Sequence, residues 1–145
     1  MPKSSLSKKE FETLSHFRYQ LRRFLRFSET VTHELGITHL QYLMLLHIKG
    51  AQGREWATIS ELAERLQSHH HGVVSLVTRC EKLDFVVRRK SQSDKRIIEV
   101  YLTASGEKMV GQIARMHRDE LLKLQGIFRV PGSQDLNPVE EEEQN

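Results

Sequence analysis

Apolar residues recur at alternating spacings of three and four over residues 8–35: Leu14, Phe17, Leu21, Phe24, Val31 and Leu35, interrupted at Ser28. That period predicts one long amphipathic helix, ended by Gly36, the residue best able to take a left-handed C-cap. A second helix is predicted over 39–49, capped by Thr38, with Tyr42, Leu45, Leu46 and Ile48 inward and Gly50 as its stop. Residues 51–57 read as a connector. Thr58-Ile59-Ser60-Glu61 matches a capping box and opens a short third helix with Ile59, Leu62, Ala63 and Leu66 inward. After a break at Gln67-Ser68, a fourth helix over 70–83 places Val73, Leu76, Val77, Cys80 and Leu83 on one face. The helical period then stops. Phe85-Val86-Val87 and the run 97–102 flank the polar stretch Ser91-Gln92-Ser93-Asp94-Lys95, the pattern of a β-hairpin. From Thr103, a candidate N-cap, a last amphipathic series runs through Met109, Ile113, Met116, Leu121, Leu124 and Phe128, and Pro131-Gly132 close it.

Two short helices joined by a tight turn, the second followed by a hairpin, make a winged helix-turn-helix over residues 36–102. The expected fold class is mainly α with a small β-hairpin wing, an α+β arrangement in one domain over 1–145. The long helices at 8–35 and 103–130 are not needed to complete that small core. Their apolar stripes, Leu14, Phe17 and Leu21 on one and Leu121, Leu124 and Phe128 on the other, are expected to meet a second copy as dimerisation helices. Residues 131–145 read as an acidic, disordered tail.

Charge sharpens the picture. The formal net charge is +3, yet five acidic residues and no basic one fall in the last eleven positions, so the rest of the chain is more basic than that figure. Residues 65–96 hold eight basic side chains against three acidic ones, concentrated at the hairpin and the helix ahead of it. A hairpin this small has little apolar surface of its own, so its charge points to a polyanionic partner, double-stranded DNA. In such a fold the second helix of the pair enters the major groove with its N-terminal residues foremost. The candidate DNA contacts are therefore His69, His70, His71, Ser75 and Arg79 on the helix, and Arg88, Arg89, Lys90, Asp94, Lys95 and Arg96 on the wing.

Other chemistry has less to stand on. Consecutive histidines on a helix point about 100° apart, so His69-His70-His71 do not form a metal site, and neither a metal nor a cofactor is expected. No Gly-rich phosphate loop or nucleophile motif is present, so catalysis is not expected either. Cys80 is the single cysteine, which rules out an intrachain disulfide. It lies on an apolar stripe, where a core role is favoured, and a redox-responsive regulator using Cys80 is the alternative. No apolar run approaches the roughly 20 residues of a membrane span, and the first residues lack a secretory signal, so a cytoplasmic location is expected. A winged-helix protein-interaction module that binds no operator is the rival to the DNA reading.

The chain resembles the multiple-antibiotic-resistance regulator (MarR) family of bacterial transcription factors from Phe11 to about Phe128. The segments that carry the likeness are TISELAERL at 58–66, LVTRCEKLDFVVRR at 76–89, SDKR at 93–96 and VYLTASGEKM at 100–109; Asp94-x-Arg96 followed by Leu102-Thr103 and Gly106 is the most distinctive combination. The resemblance implies an obligate homodimer on a pseudo-palindromic operator, usually a repressor, released by a small aromatic or anionic effector. It implies that Arg96 enters the minor groove while Asp94 holds its guanidinium. It also implies an effector pocket between the first, second and last helices, where His16, Tyr19, Arg23 and His47 are the polar candidates. Two departures stand out. Asp84 occupies a turn where the family often has Gly, and the region after Phe128 is short and polar for an extra dimerisation helix.

Overall fold

The computed structural model describes residues 5–136. Eight elements follow in chain order: α1 (Lys8–Glu34), α2 (His39–Lys49), β1 (Trp56–Thr58), α3 (Ile59–Leu66), α4 (His70–Lys82), β2 (Val86–Lys90), β3 (Ile98–Leu102) and α5 (Ala104–Lys123). They fall into two compact units, one of residues 28–119 and one of the two ends, which among the described residues are 5–27 and 120–136.

In the unit of 28–119 the local signals set the helix ends. Gly36 takes φ +83° after α1. Thr38 and Gln41 form a reciprocal capping box at the start of α2, and Thr58 and Glu61 do the same for α3. α3 ends on Gln67 in the left-handed region, φ 50°, and the turn through Ser68 delivers the chain into α4. The apolar faces of these helices meet in one core: Met44, Leu45 and Ile48 of α2, Leu62 of α3, Val73, Val77 and Cys80 of α4, and Ile113 of α5 are fully buried. Each such aliphatic side chain contributes about 1.5–3 kcal/mol relative to exposure.

The wing is part of a three-stranded antiparallel sheet in the order β1-β3-β2. This corrects the reading of 51–57 as a connector throughout: Trp56, Ala57 and Thr58 pair with Tyr101, Val100 and Glu99. A three-residue strand carries no period of its own, and its partner lies more than forty positions away. Thr103 secures the next element. Its hydroxyl accepts the Gly106 amide at 3.0 Å and donates to the Asp84 carbonyl, while its own amide donates to the Phe85 carbonyl at 3.0 Å. A Cβ at Gly106 would sit 2.1 Å from that carbonyl oxygen, so only glycine lets α5 approach the turn this closely. Asp84 holds φ 62° in the same turn, supplying the left-handed geometry without glycine.

Ser28, which breaks the apolar series of α1, is buried at the centre of a polar network. His117 Nδ1 lies 2.9 Å from the Ile113 carbonyl, which can only accept, so Nδ1 carries the proton. In the neutral ring Nε2 then accepts the Ser28 hydroxyl at 2.7 Å, and Ser28 Oγ in turn accepts from His39 Nδ1 at 2.9 Å. Tyr42 stacks on the His117 ring, centroids 4.9 Å apart. Every polar group of this buried cluster has its partner, which avoids the desolvation cost of an orphan.

The unit of the ends is built differently. Phe128 stacks on Phe17 and on Phe24, each at 6.0 Å between centroids. The last helix ends at Lys123, not at Phe128 as its period predicts, because the chain turns at 124–127 with Gly126 at φ +80°. Residues 131–136, expected in the disordered tail, follow an ordered turn: Arg129 donates both arms of its guanidinium to Asp135, at 2.7 and 2.9 Å, and the Gly132 amide donates to the same carboxylate. These contacts, the Arg129 pair first, hold the Asp135 pKa down at about 2. The acidic run Glu140 to Glu143 lies outside the described residues.

Candidate nucleic-acid interface

α4 separates its two faces cleanly. Val73, Leu76, Val77 and Cys80 are buried, while His70, His71, Ser75 and Arg79 on the other side are exposed. His69 is the N-cap, yet its side chain makes no capping hydrogen bond. Its ring instead folds back to stack on His71, centroids 5.7 Å apart and planes within 4°. The three histidines thus stand at the exposed mouth of the helix. Among the described residues no cluster of three or more His, Cys, Asp or Glu is arranged to hold a metal.

On β2 only Val86 is buried; Arg88, Arg89 and Lys90 face solvent. They are not equivalent. Arg88 turns toward α4, donating to Thr78 Oγ1 at 3.1 Å and pairing with Glu81, so it braces the wing against the helix. Arg89 lies over the Tyr101 ring, 4.8 Å from its centroid. Lys90 and Lys95 are exposed and take part in no ion pair among the described residues. At the tip, Arg96 donates from Nε and Nη2 to the two carboxylate oxygens of Asp94, at 3.0 and 2.9 Å, and its backbone amide adds a third bond at 3.1 Å. The Arg96 hydrogen bonds hold the Asp94 carboxyl below the usual carboxylate range, and Asp94 raises the guanidinium in return. The Arg96 side chain remains 91% exposed, so the pair fixes its direction without covering it.

Helix and wing meet in a cleft of about 360 Å³ lined by His70 of α4, Arg88 and Arg96 of the wing, and Thr58 and Ser60 at the start of α3. The sequence candidates from two separated segments are therefore brought to one place. Thr58 and Ser60 join them there. Thr58 was legible as a cap, but nothing local announces that it borders the wing.

The four effector candidates are not gathered. His16 lines one cavity of the end unit, Tyr19 and Arg23 line a second groove there, and His47 lines a third cavity in the unit of 28–119. Of the dimer candidates, Leu14 and Leu121 are exposed, while Phe17, Leu21, Leu124 and Phe128 are partly covered. Cys80 is fully buried, and burial pushes its thiol up to about 11, which keeps it protonated and unreactive. No helix among the described residues is long and apolar enough to cross a membrane.

A two-helix reader with a basic, aspartate-braced β-wing is a winged helix-turn-helix. Comparison with known proteins agrees. The MarR family matches residues 35–97, which run from the residue after α1 through the reader, β2 and the wing tip and stop short of β3. The HTH-type transcriptional regulator SarZ of Staphylococcus aureus is 28% identical over 83 residues, 57% of this chain and 54% of SarZ. The chain spans about half the length of the curated relatives it matches. Among solved structures, the MarR family transcriptional regulator AbsC of Streptomyces coelicolor superposes with a TM-score of 0.75 at 20% identity, covering 88% of this chain and 86% of AbsC. A MepR variant from S. aureus bound to an oligodeoxyribonucleotide superposes at 0.63 and 21% identity, with 86% of each chain covered. Over residues 35–97 the chain is similar to the MarR family, and its fold is that of the MarR family structure AbsC.

Proposed function

We propose that this chain is a dimeric, sequence-specific regulator of transcription that binds a pseudo-palindromic operator in double-stranded DNA. The observation that carries the reading is the convergence of His70, Arg88 and Arg96 on one exposed cleft, with Arg96 held out by Asp94. An outward guanidinium of fixed direction suits the narrow minor groove, while Ser75 and Arg79 lie on the helix face that meets base edges and phosphates. The fold it shares with a MepR variant bound to an oligodeoxyribonucleotide supports DNA as the partner. The exposed apolar side chains of the end unit, Phe11, Leu121 and Leu122 among them, supply the surface for a second copy. Repression, relieved by a small aromatic or anionic effector, completes the reading through the family resemblance.

Selection of bound sites from random duplex DNA tests it. Two half-sites as an inverted repeat, about one helical turn apart, are the expected product. Arg96→Ala should weaken binding by roughly tenfold or more and leave the selected helix-contact bases unchanged. Binding with no preference among sequences, or none at low salt, overturns the regulator and leaves the protein-interaction module.

A further inference from the structure

We propose, given the regulator reading, that Arg88, Thr78 and Glu81 are positioning residues: they latch the wing to the reader helix α4, fix the span between the DNA-facing side chains of each, and so set operator specificity without touching DNA. Alternate residues of β2 face the core side of the sheet, and these are Val86, Arg88 and Lys90, opposite Leu102, Val100 and Ile98 of β3. Val86 and Val100 are fully buried, and beyond them the apolar packing runs out. Lys90 is exposed and takes part in no ion pair among the described residues. Arg88 is therefore the outermost side chain on this side of β2 that is bonded to α4.

Both of its bonds have a fixed direction. The Thr78 hydroxyl donates its one proton to the Val74 carbonyl at 3.0 Å, which leaves a lone pair to accept from Arg88 Nη2 at 3.1 Å. Glu81 stands three residues further along the same face of α4, where its carboxylate pairs with Arg88 Nε. The oxygen of that pair, Oε1, is buried and faces no other donor among the described residues. The two side chains are only 33% and 34% exposed, so solvent screens the pair less than it would on an open surface. The sign of the Glu81 charge separates placement from attraction. A carboxylate on the reader helix repels a polyanion, so any direct effect of Glu81 on DNA is unfavourable. It also neutralises Arg88, which takes that guanidinium out of the charges that draw phosphates. What the pair contributes to binding is placement: Ser75 and Arg79 of α4 and Arg96 of the wing meet the duplex at one separation. Base-edge contacts demand that separation, whereas contacts to the repeating phosphates tolerate a shift.

Two measurements on the full chain test this. In the first, spin labels at Ser75→Cys on α4 and Gln92→Cys on the wing report their separation by pulsed electron resonance, in chains diluted with unlabelled protein; Cys80 is buried and stays unlabelled. Glu81→Ala should broaden the distance distribution, and an unchanged distribution overturns the latch whether or not DNA binds. In the second, affinity for the selected operator and for a random duplex is followed over a range of salt. Glu81→Ala should weaken operator binding by about tenfold, the scale of one lost hydrogen bond to a charged group, while random-duplex binding holds or tightens. Arg88→Ala should give the same loss with its salt dependence unchanged, and the double variant should be no worse than Arg88→Ala alone. Operator binding that tightens in Glu81→Ala overturns the proposal, as does a salt slope lowered by about one in Arg88→Ala, the mark of a lost phosphate contact. A wild-type chain indifferent to sequence overturns the regulator reading instead, and the label distances then decide the latch by themselves.

Discussion

The unit of residues 28–119 and the unit of the chain's ends use their apolar residues in opposite ways. The first buries them: every buried apolar side chain among the described residues, from Val31 to Ile113, belongs to it. The second leaves many of them open, with Phe11 55%, Leu122 61% and Ile127 56% exposed beside the stack of Phe128 on Phe17 and Phe24. Both are amphipathic by sequence, and the periodic stripe is as regular at 14–24 as at 73–80. The contrast shows that a helical stripe announces a surface needing cover, and says nothing of whether the same chain provides it. The reader is stabilised from within; the ends keep large apolar side chains exposed.

Core truncation should break the first unit most. Met44→Ala is expected to cost about 2–5 kcal/mol by denaturant titration, whereas Phe11→Ala should stay within about 0.5 kcal/mol at low protein concentration. A comparable loss at both positions would erase the distinction. Gly106→Ala should cost about 1–3 kcal/mol or more, because its Cβ would overlap a backbone carbonyl that cannot rotate away. In the end unit, Phe128→Ala should act through association: by sedimentation the dimer should weaken about tenfold, with a smaller change in the unfolding of dilute protein. A wild-type chain that stays monomeric at high concentration would show that these side chains tolerate water.

The smallest expected effect is on pH. Burial, with a lesser push from His117, holds the His39 pKa below its ordinary value, against an opposing pull from Glu29. The folded protein therefore binds fewer protons there than the unfolded one. This contribution to stability is complete above about pH 6.5 and is lost as the pH falls. The loss is expected to stay below about 1 kcal/mol, since the ring is only partly buried. Thermal melts from about pH 8 to about pH 5 should show the slope, and His39→Gln should flatten it.

Features set by neighbouring residues were legible in the sequence, and features set by distant ones were not. The Thr58–Glu61 box and the Gly36 stop each close within a few positions, so residue types and spacing sufficed, while the Asp94–Arg96 fork, equally local, was implied by the family resemblance. Ser28 read as a flaw in a stripe because its partners sit 11 and 89 positions away. β1 was missed because a Trp-Ala-Thr triplet becomes a strand only against Val100 and its neighbours. At the interface the wing charges were evident. The cleft that joins Arg96 to His70 and Ser60 depends on how three elements pack.

The braced wing tip has a kinetic consequence. From beyond about 10 Å at 0.1 M salt, the opposite charges of Asp94 and Arg96 cancel, and the tip draws a polyanion through Lys90 and Lys95. Arg96 counts only on touching. The speed of arrival and the length of stay are thus governed by adjacent side chains: neutralising Lys95 should slow capture, and removing Arg96 should hasten escape.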